Sequence, residues 1–278
     1  MNPENIIKQA LAEDIGSGDY SSLSCIDKSA YGEMELKVKQ NGVIAGIEVA
    51  KMVFHQVNPD LTINTFLQDG DEVKIGDIAF TVKGSAQSML TAERTVLNFM
   101  QRMSGIATST RFYVNMVKGM NTKLLDTRKT TPNMRYFEKY AVRVGGAENH
   151  RFGLFDMIML KDNHIDFAGG IEKAIDATLH YLDAHGLNLK IEIETRNLEE
   201  VKRVIKHGGV HRIMLDNFTP KLISEALLLI NGVYETEASG GITIDTLRDY
   251  AATGVDYISI GALTHHIRSL DLSLKFKK

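Results

Sequence analysis

The chain has 278 residues, 44% of them hydrophobic and 24% charged, with a formal net charge of −3. That composition fits one large globular domain or a barrel with a smaller partner domain, and the acidic balance argues against general nucleic-acid binding. A lone cysteine, Cys25, excludes an internal disulfide framework and fits a reducing compartment.

The N-terminal run MNPENIIKQALAEDIG is acidic and amphipathic and has no apolar signal core. No apolar stretch approaches the ~20 residues that cross a bilayer. A soluble, cytoplasmic protein with a small-molecule site and no membrane partner is therefore expected. Residues 5–11 suit a short helix with Ile6, Ile7 and Ala10 on one side. Residues 33–39 alternate charged and apolar side chains, the pattern of a half-buried strand. Further strands are expected at 61–67 and 78–82, with Gly-Asp turns between them. Such turns also occur in biotinyl-type carrier folds, although turn glycines more often serve only the turn. Residues 86–117 read as helical, with Ser104-Gly105 as a break and a domain boundary near 105–115.

Beyond that point short apolar runs alternate with helical stretches. Strands are expected at 123–125, 157–160, 190–193, 212–215, 233–236 and 257–260. Helices are expected at 133–143, 169–185, 197–207, 219–231 and 243–253. Alternating β and α units imply a parallel sheet covered by helices, here a complete or partial (β/α) barrel. An open Rossmann-like sheet competes, but no G-x-G-x-x-G follows an early strand.

Barrel enzymes place their chemistry on the loops after the strands, and here those tips are sorted by charge. Arg128, Lys129 and Lys161 come first, with His150 and Arg151 in a connecting segment. Glu194 and Asp216 follow, and the last tips are glycine-rich and uncharged. Cations hold a compact dianion, and arginine pairs bidentately with carboxylate. Carboxylates hold ribose hydroxyls or Mg2+. Glycines expose backbone N–H groups suited to phosphate. A substrate set with carboxylates, a ribose and phosphates follows from that order.

Plainer roles stand beside each residue. Arg128 and Lys129 are also suited to surface salt bridges, Lys161 to snorkelling from an apolar run, and Glu194 or Asp216 to capping or ion pairing. Ser239-Gly240-Gly241 also makes an ordinary turn. His150, His164 and His265 are better hydrogen-bonding residues than metal ligands, since no zinc-type spacing accompanies them. A Schiff-base lyase using Lys161 remains a rival reading.

Several motifs occur in order: Glu13-Asp-Ile-Gly16 with Gly18-Asp19, Thr91-Ala-Glu-Arg-Thr-Val-Leu-Asn98, Ser104-Gly-Ile-Ala-Thr108, Asp126-Thr-Arg-Lys-Thr130 and Asn149-His-Arg151. Leu160-Lys-Asp-Asn-His164, Leu215-Asp-Asn-Phe218, Ser239-Gly-Gly241 and Gly261-Ala-Leu-Thr-His265 complete the series. Together they resemble quinolinate phosphoribosyltransferase, also called nicotinate-nucleotide pyrophosphorylase (carboxylating), over nearly the whole chain. Ser21-Ser22 and Ala147-Glu148 depart from the family pattern, and Glu148 adds a negative charge near a cationic site.

The resemblance implies an α/β protein with an N-terminal α/β sandwich domain (1–110) and an incomplete (β/α) barrel (111–270). A tail (271–278) packs back on the first domain. The activity implied is Mg2+-dependent phosphoribosyl transfer from phosphoribosyl pyrophosphate to quinolinate with decarboxylation, in NAD biosynthesis. Nicotinate phosphoribosyltransferase is the close rival, but it takes a monocarboxylate. Also implied is a homodimer with shared active sites, or a higher homo-oligomer, with Arg94 donated across the interface. Arg94, Arg128, Lys129, Arg151 and Lys161 would then bind quinolinate, with His150 nearby. Glu194 and Asp216 would face the ribose and its Mg2+-pyrophosphate, with Lys161 catalytic beside them. Ser239, Gly240, Gly241, Gly261 and Ala262 would cradle the 5′-phosphate, and Thr127 and Ile260 would line the same pocket.

Overall fold

A computed structural model describes residues 2–277. The chain forms two compact units. The first contains residues up to Phe112, Lys129–Gly146, and the chain from Ala262 onward; the second contains Tyr113–Arg128 and Ala147–Gly261. Against the expected division into 1–110, 111–270 and a returning 271–278 tail, Lys129–Gly146 and residues 262–270 also group with the first unit. The boundary nearest the expected one lies inside a helix, which explains the lack of a linker in the sequence.

In chain order the first unit starts with α1 (Pro3–Ile15), α2 (Tyr20–Cys25), β1 (Tyr31–Val38), β2 (Gly42–Val43) and α3 (Ile47–Val57). β3 (Thr62–Thr65), β4 (Glu72–Val73), β5 (Ile78–Ser85) and the long α4 (Ala86–Met116) follow. Asn2 caps α1 by accepting the Glu4 N–H at 2.9 Å, and Pro3 suits its first turn, where no N–H is needed. β1 buries Met34, Leu36 and Val38, while its charged residues point outward, as alternation demands. It pairs antiparallel with β5 on one side and on the other with β12 (Leu272–Phe276) near the C-terminus. The sheet order β12-β1-β5-β3 thus takes an edge strand from the end of the chain. Phe54 of α3 meets Phe80 of β5 edge-on at 6.1 Å, beneath that sheet.

No break occurs at Ser104-Gly105; α4 runs through it. The Ser104 hydroxyl donates to the Ala45 carbonyl (3.1 Å) and accepts the Ala45 N–H (2.9 Å). A Cβ on Gly105 would overlap the Arg268 carbonyl. Small residues are needed here for close approach of other chain segments, not to end a helix.

The second unit is built on β6 (Lys123–Leu125). After α5 (Arg135–Gly145), which groups with the first unit, come β7 (Ile158–Leu160), α6 (Asp162–Ala168), α7 (Ile171–Ala184), β8 (Ile191–Thr195) and α8 (Leu198–His207). β9 (Arg212–Asp216), α9 (Pro220–Ile230), β10 (Glu235–Ser239), α10 (Leu247–Ala251) and β11 (Tyr257–Ser259) complete it, before α11 (Ala262–His265) returns to the first unit. All six strands pair in parallel in the order β6-β11-β10-β9-β8-β7. An isolated parallel bridge, Leu125↔Glu148, adds a fragment beyond β6. Among the described residues no helix is long and apolar enough to cross a membrane.

Candidate active site

The carboxyl ends of the six strands carry most of the residues singled out from the sequence. Thr127 and Arg128 follow β6, Lys161 follows β7, Glu194 is the fourth residue of β8 and Asp216 ends β9. Ser239 ends β10 ahead of Gly240 and Gly241, and Ile260 and Gly261 follow β11. Across the sheet the tips therefore run from cation through two backbone-rich turns and two acids to cation again. Arg94, on the exposed side of α4, belongs to the first unit with Lys129 and Ala262, the first residue of α11.

Lys161 Nζ lies 3.2 Å from Glu194 Oε2, joining the tips of β7 and β8. The lysine side chain is 46% exposed while the glutamate is 8% exposed. A half-exposed lysine bound to a carboxylate lacks the desolvated pocket that a Schiff-base nucleophile needs. His164 accepts the Lys161 N–H at its Nδ1 (3.0 Å), closing the first turn of α6 behind the lysine. Burial, then the nearby Arg128 guanidinium, lowers the pKa of Arg151 below the usual arginine range. Two guanidiniums in mutual repulsion make a field that an incoming dianion relieves.

On the glycine-rich side, Asn217 donates its backbone N–H to the Ser239 carbonyl (2.8 Å), and its side-chain amide donates to Asp216 (2.6 Å). Gly240 and Gly241 both take positive φ, 91° and 65°. A Cβ on Gly240 would overlap the Asn217 side-chain oxygen, whereas Gly241 opens on empty space. The turn therefore presents bare backbone where an anion can approach closely.

His150 has a setting unlike the substrate-contacting one expected of it. Its side chain is 5% exposed, with Nε2 3.1 Å from Glu192 and 3.4 Å from Glu237. Arg212 holds Glu237 at 3.0 Å and Glu235 at 2.9 Å, and its guanidinium lies 4.1 Å over the Tyr257 ring. Asp126 fixes the same segment from above, accepting the His150 N–H (2.8 Å) and the Asn149 amide (2.6 Å). The ring is thus drawn down among the strands by two carboxylates.

Burial opposes a cation on His150, but hydrogen bonding and charge from Glu192 and Glu237 outweigh it and push the pKa up to about 9. Burial and the charge of Glu237 raise Glu192 to about 7. Glu237 is held low despite burial, because His150, Ser259 and Arg212 all favour its charge. A neutral ring can accept the Arg151 N–H at Nδ1 (2.6 Å), and the cation gives that bond up. With both glutamates ionised, Arg212 alone would leave a buried charge uncompensated, a penalty of several kcal/mol against about 1 kcal/mol for the lost bond. The cluster therefore holds an extra proton at neutral pH.

Glu192, Glu237 and Arg212 were missed in the sequence, although a signal existed. Glu192 and Glu194 stand two apart in Ile-Glu-Ile-Glu-Thr, and Glu235 and Glu237 in Glu-Thr-Glu. Charges at alternate positions of a strand share one face, and one of a barrel strand's two faces is the interior. Glu148, by contrast, turns to Lys123 (2.8 Å), at the amino end of β6. Its carboxylate is thereby committed away from the strand tips.

Family models for the quinolinate phosphoribosyl transferase C-terminal domain and N-terminal domain match residues 106–275 and 19–104. The chain belongs to the quinolinate phosphoribosyltransferase family. It is 43% identical to quinolinate phosphoribosyltransferase [decarboxylating] 2b, mitochondrial, of Nicotiana tabacum, over 98% of this chain and 81% of that protein. It is 41% identical to the probable nicotinate-nucleotide pyrophosphorylase [carboxylating] of Bacillus subtilis, over 98% and 92% of the two chains. NadC from Streptococcus pyogenes superposes with a TM-score of 0.93 at 40% identity, covering 100% of this chain and 99% of that one. The antiparallel N-terminal and parallel C-terminal sheets are those of the quinolinate phosphoribosyltransferase fold. The activity is decarboxylating quinolinate phosphoribosyl transfer, a pentosyltransferase reaction of de novo NAD synthesis.

Proposed function

We propose that the strand tips hold quinolinate, phosphoribosyl pyrophosphate and Mg2+ in the order of their charges. Arg128, Lys129, Arg151 and Lys161 take the two carboxylates. The Ser239-Gly240-Gly241 turn and Gly261-Ala262 take the 5′-phosphate, with the Thr127 and Ile260 backbones beside it. Glu194 and Asp216 face the ribose. The Lys161–Glu194 pair at 3.2 Å carries this assignment, because it puts a carboxylate-binding cation next to a ribose-facing carboxylate. Both substrates can then share one seam.

Glu194 and Asp216 end neighbouring strands and offer hard carboxylate oxygens, which suit Mg2+ carried on the pyrophosphate. The ion supplies positive charge to the departing pyrophosphate. The protein's own groups do the rest by orientation and a preorganised field. The cations fix the pyridine ring with its nitrogen toward ribose C1. As the C1–O bond breaks and the N–C1 bond forms, Glu194 and Asp216 favour the positive charge growing on the sugar. The ring nitrogen then bears a positive charge. That charge stabilises the electron pair left on C2 when CO2 departs, and the pair then takes up a proton. His150, anchored by Glu192 and Glu237, holds the chain segment that carries Arg151 rather than touching substrate.

The partner subunit's Arg94 completes the carboxylate site in a homodimer. Its exposed position on α4, between the buried Ala92 and Thr95, supports a role outside its own core. Steady-state kinetics of Arg128→Ala test the assignment. The KM for quinolinate should rise at least ~30-fold, as expected for a charge-assisted pair worth about 2 kcal/mol, with the unfolding midpoint retained. An unchanged KM would remove Arg128 from the site.

A further inference from the structure

Glu138 lies on the packed face of α5 with a side chain that is 0% exposed, and no step described above uses it. Its partner is Arg102 of α4, which reaches Oε1 with Nε at 2.8 Å and Nη2 at 2.6 Å. A buried ion pair is weak evidence for stability, since desolvation offsets most of its attraction. Here the pair also ties down chain. Arg102 Nη2 donates to Thr131 Oγ1 (2.8 Å) and to the Thr264 carbonyl (3.3 Å). Glu138 Oε2 accepts the Thr131 N–H (3.1 Å). The buried Thr264 hydroxyl donates to the Lys129 carbonyl (2.9 Å).

These bonds close a ring. It runs from Arg102 to Glu138, along the 129–131 segment, across to Thr264 and back to Arg102. Lys129–Thr131 has no strand or helix of its own, so side-chain partners such as these help to fix its backbone. Thr264 lies in α11, the short helix that opens at Ala262. One planar guanidinium thus joins the segment carrying a quinolinate cation to the helix that begins in the phosphate cradle. Lysine has no such fork.

Resting on the assignment of Lys129 and Ala262 above, we propose that Arg102 and Glu138 are positioning residues for phosphoribosyl transfer, holding Lys129 and the start of α11 in one fixed geometry. Each acts through the backbone of other residues and touches neither substrate. Because both substrate sites hang on the ring, loosening it should weaken both together. A residue of the core alone would change the unfolding midpoint and leave the KM values in place.

The test is steady-state kinetics for both substrates, with unfolding midpoints, on Arg102→Lys, Thr264→Val, Thr264→Ser and Lys129→Met. Arg102→Lys and Thr264→Val should raise the KM of quinolinate and of phosphoribosyl pyrophosphate about fivefold or more, the equivalent of one lost hydrogen bond. The effect on kcat should be smaller, and Thr264→Ser should stay near the parent enzyme. Thr264→Val is close in shape to the native residue and keeps the test open if Arg102→Lys does not fold. A raised quinolinate KM in Lys129→Met with unchanged KM values in Thr264→Val would overturn the positioning role alone. An unchanged quinolinate KM in Lys129→Met would instead overturn the site assignment and, with it, the purpose of the ring.

Discussion

At the carboxyl end of β8, Glu194 meets a lysine that is 46% exposed; two residues earlier on the same strand, Glu192 meets His150 where neither has appreciable exposure. The two glutamates share a strand face and a charge, yet their surroundings give them different work. The upper pair is open to water, so its attraction is screened and a substrate can exchange with either partner. The lower cluster is dry, and each charge there depends on the others for compensation. Under the proposed function, chemistry accordingly belongs to the half-open tips and alignment to the sealed cluster below.

Breaking the sealed cluster should show this in stability first. Glu237→Leu takes one buried carboxylate from both Arg212 and His150, so unfolding free energy should fall by about 3–5 kcal/mol in chemical denaturation. A loss under ~1 kcal/mol would mean that the cluster is not charge-coupled as described.

A smaller effect, and a sharper one, is the pH dependence. The folded-state pKa of His150 lies at about 9, above its ordinary 6.5. The folded state therefore binds the extra proton more tightly than the unfolded chain, and the stability it contributes is complete below about pH 6.5. That contribution should fade as the pH climbs toward about 9. Glu192, raised to about 7, acts in the same direction at lower pH. Denaturation of the parent and His150→Gln across this range should give a stability gap that closes at the alkaline end. A gap independent of pH would show that the imidazole is not cationic.

The smallest effect is expected at Glu148, whose partner Lys123 is exposed. Glu148→Gln should change unfolding free energy by no more than ~0.5 kcal/mol and leave both KM values unchanged. A lowered quinolinate KM would place its charge closer to the carboxylate site than its pairing with Lys123 allows.

The same contrast explains what could be read in the sequence. β6, β7, β8, β9 and β11 were legible because short apolar runs ended in charged or glycine-bearing tips, and those tips hold the expected site residues. β10 was misplaced by two residues. Val233 looks like its start but is 68% exposed, while the strand itself carries Glu235 and Glu237. Helix α6 falls between the expected strand at 157–160 and helix at 169–185, because its first turn is the polar Lys161-Asp-Asn-His164 motif. Charge order along the chain was readable, but strand order was not. Nothing local says that β6 lies beside β11, or that residues 272–276 complete a sheet begun at residue 31. The sealed cluster was hidden for a related reason: its members lie on three strands and a connecting segment, and only the fold gathers them.

Lys161 is the residue on which the division between open tips and sealed cluster turns. Turnover of Lys161→Ala at saturating quinolinate and phosphoribosyl pyrophosphate, with its unfolding midpoint measured on the same preparation, is the most direct test. kcat should drop at least ~100-fold, the scale of losing one electrostatic contact made in the transition state, while the midpoint stays at the parent value. Near-normal kcat, or a collapse of stability in place of turnover, would contradict the account.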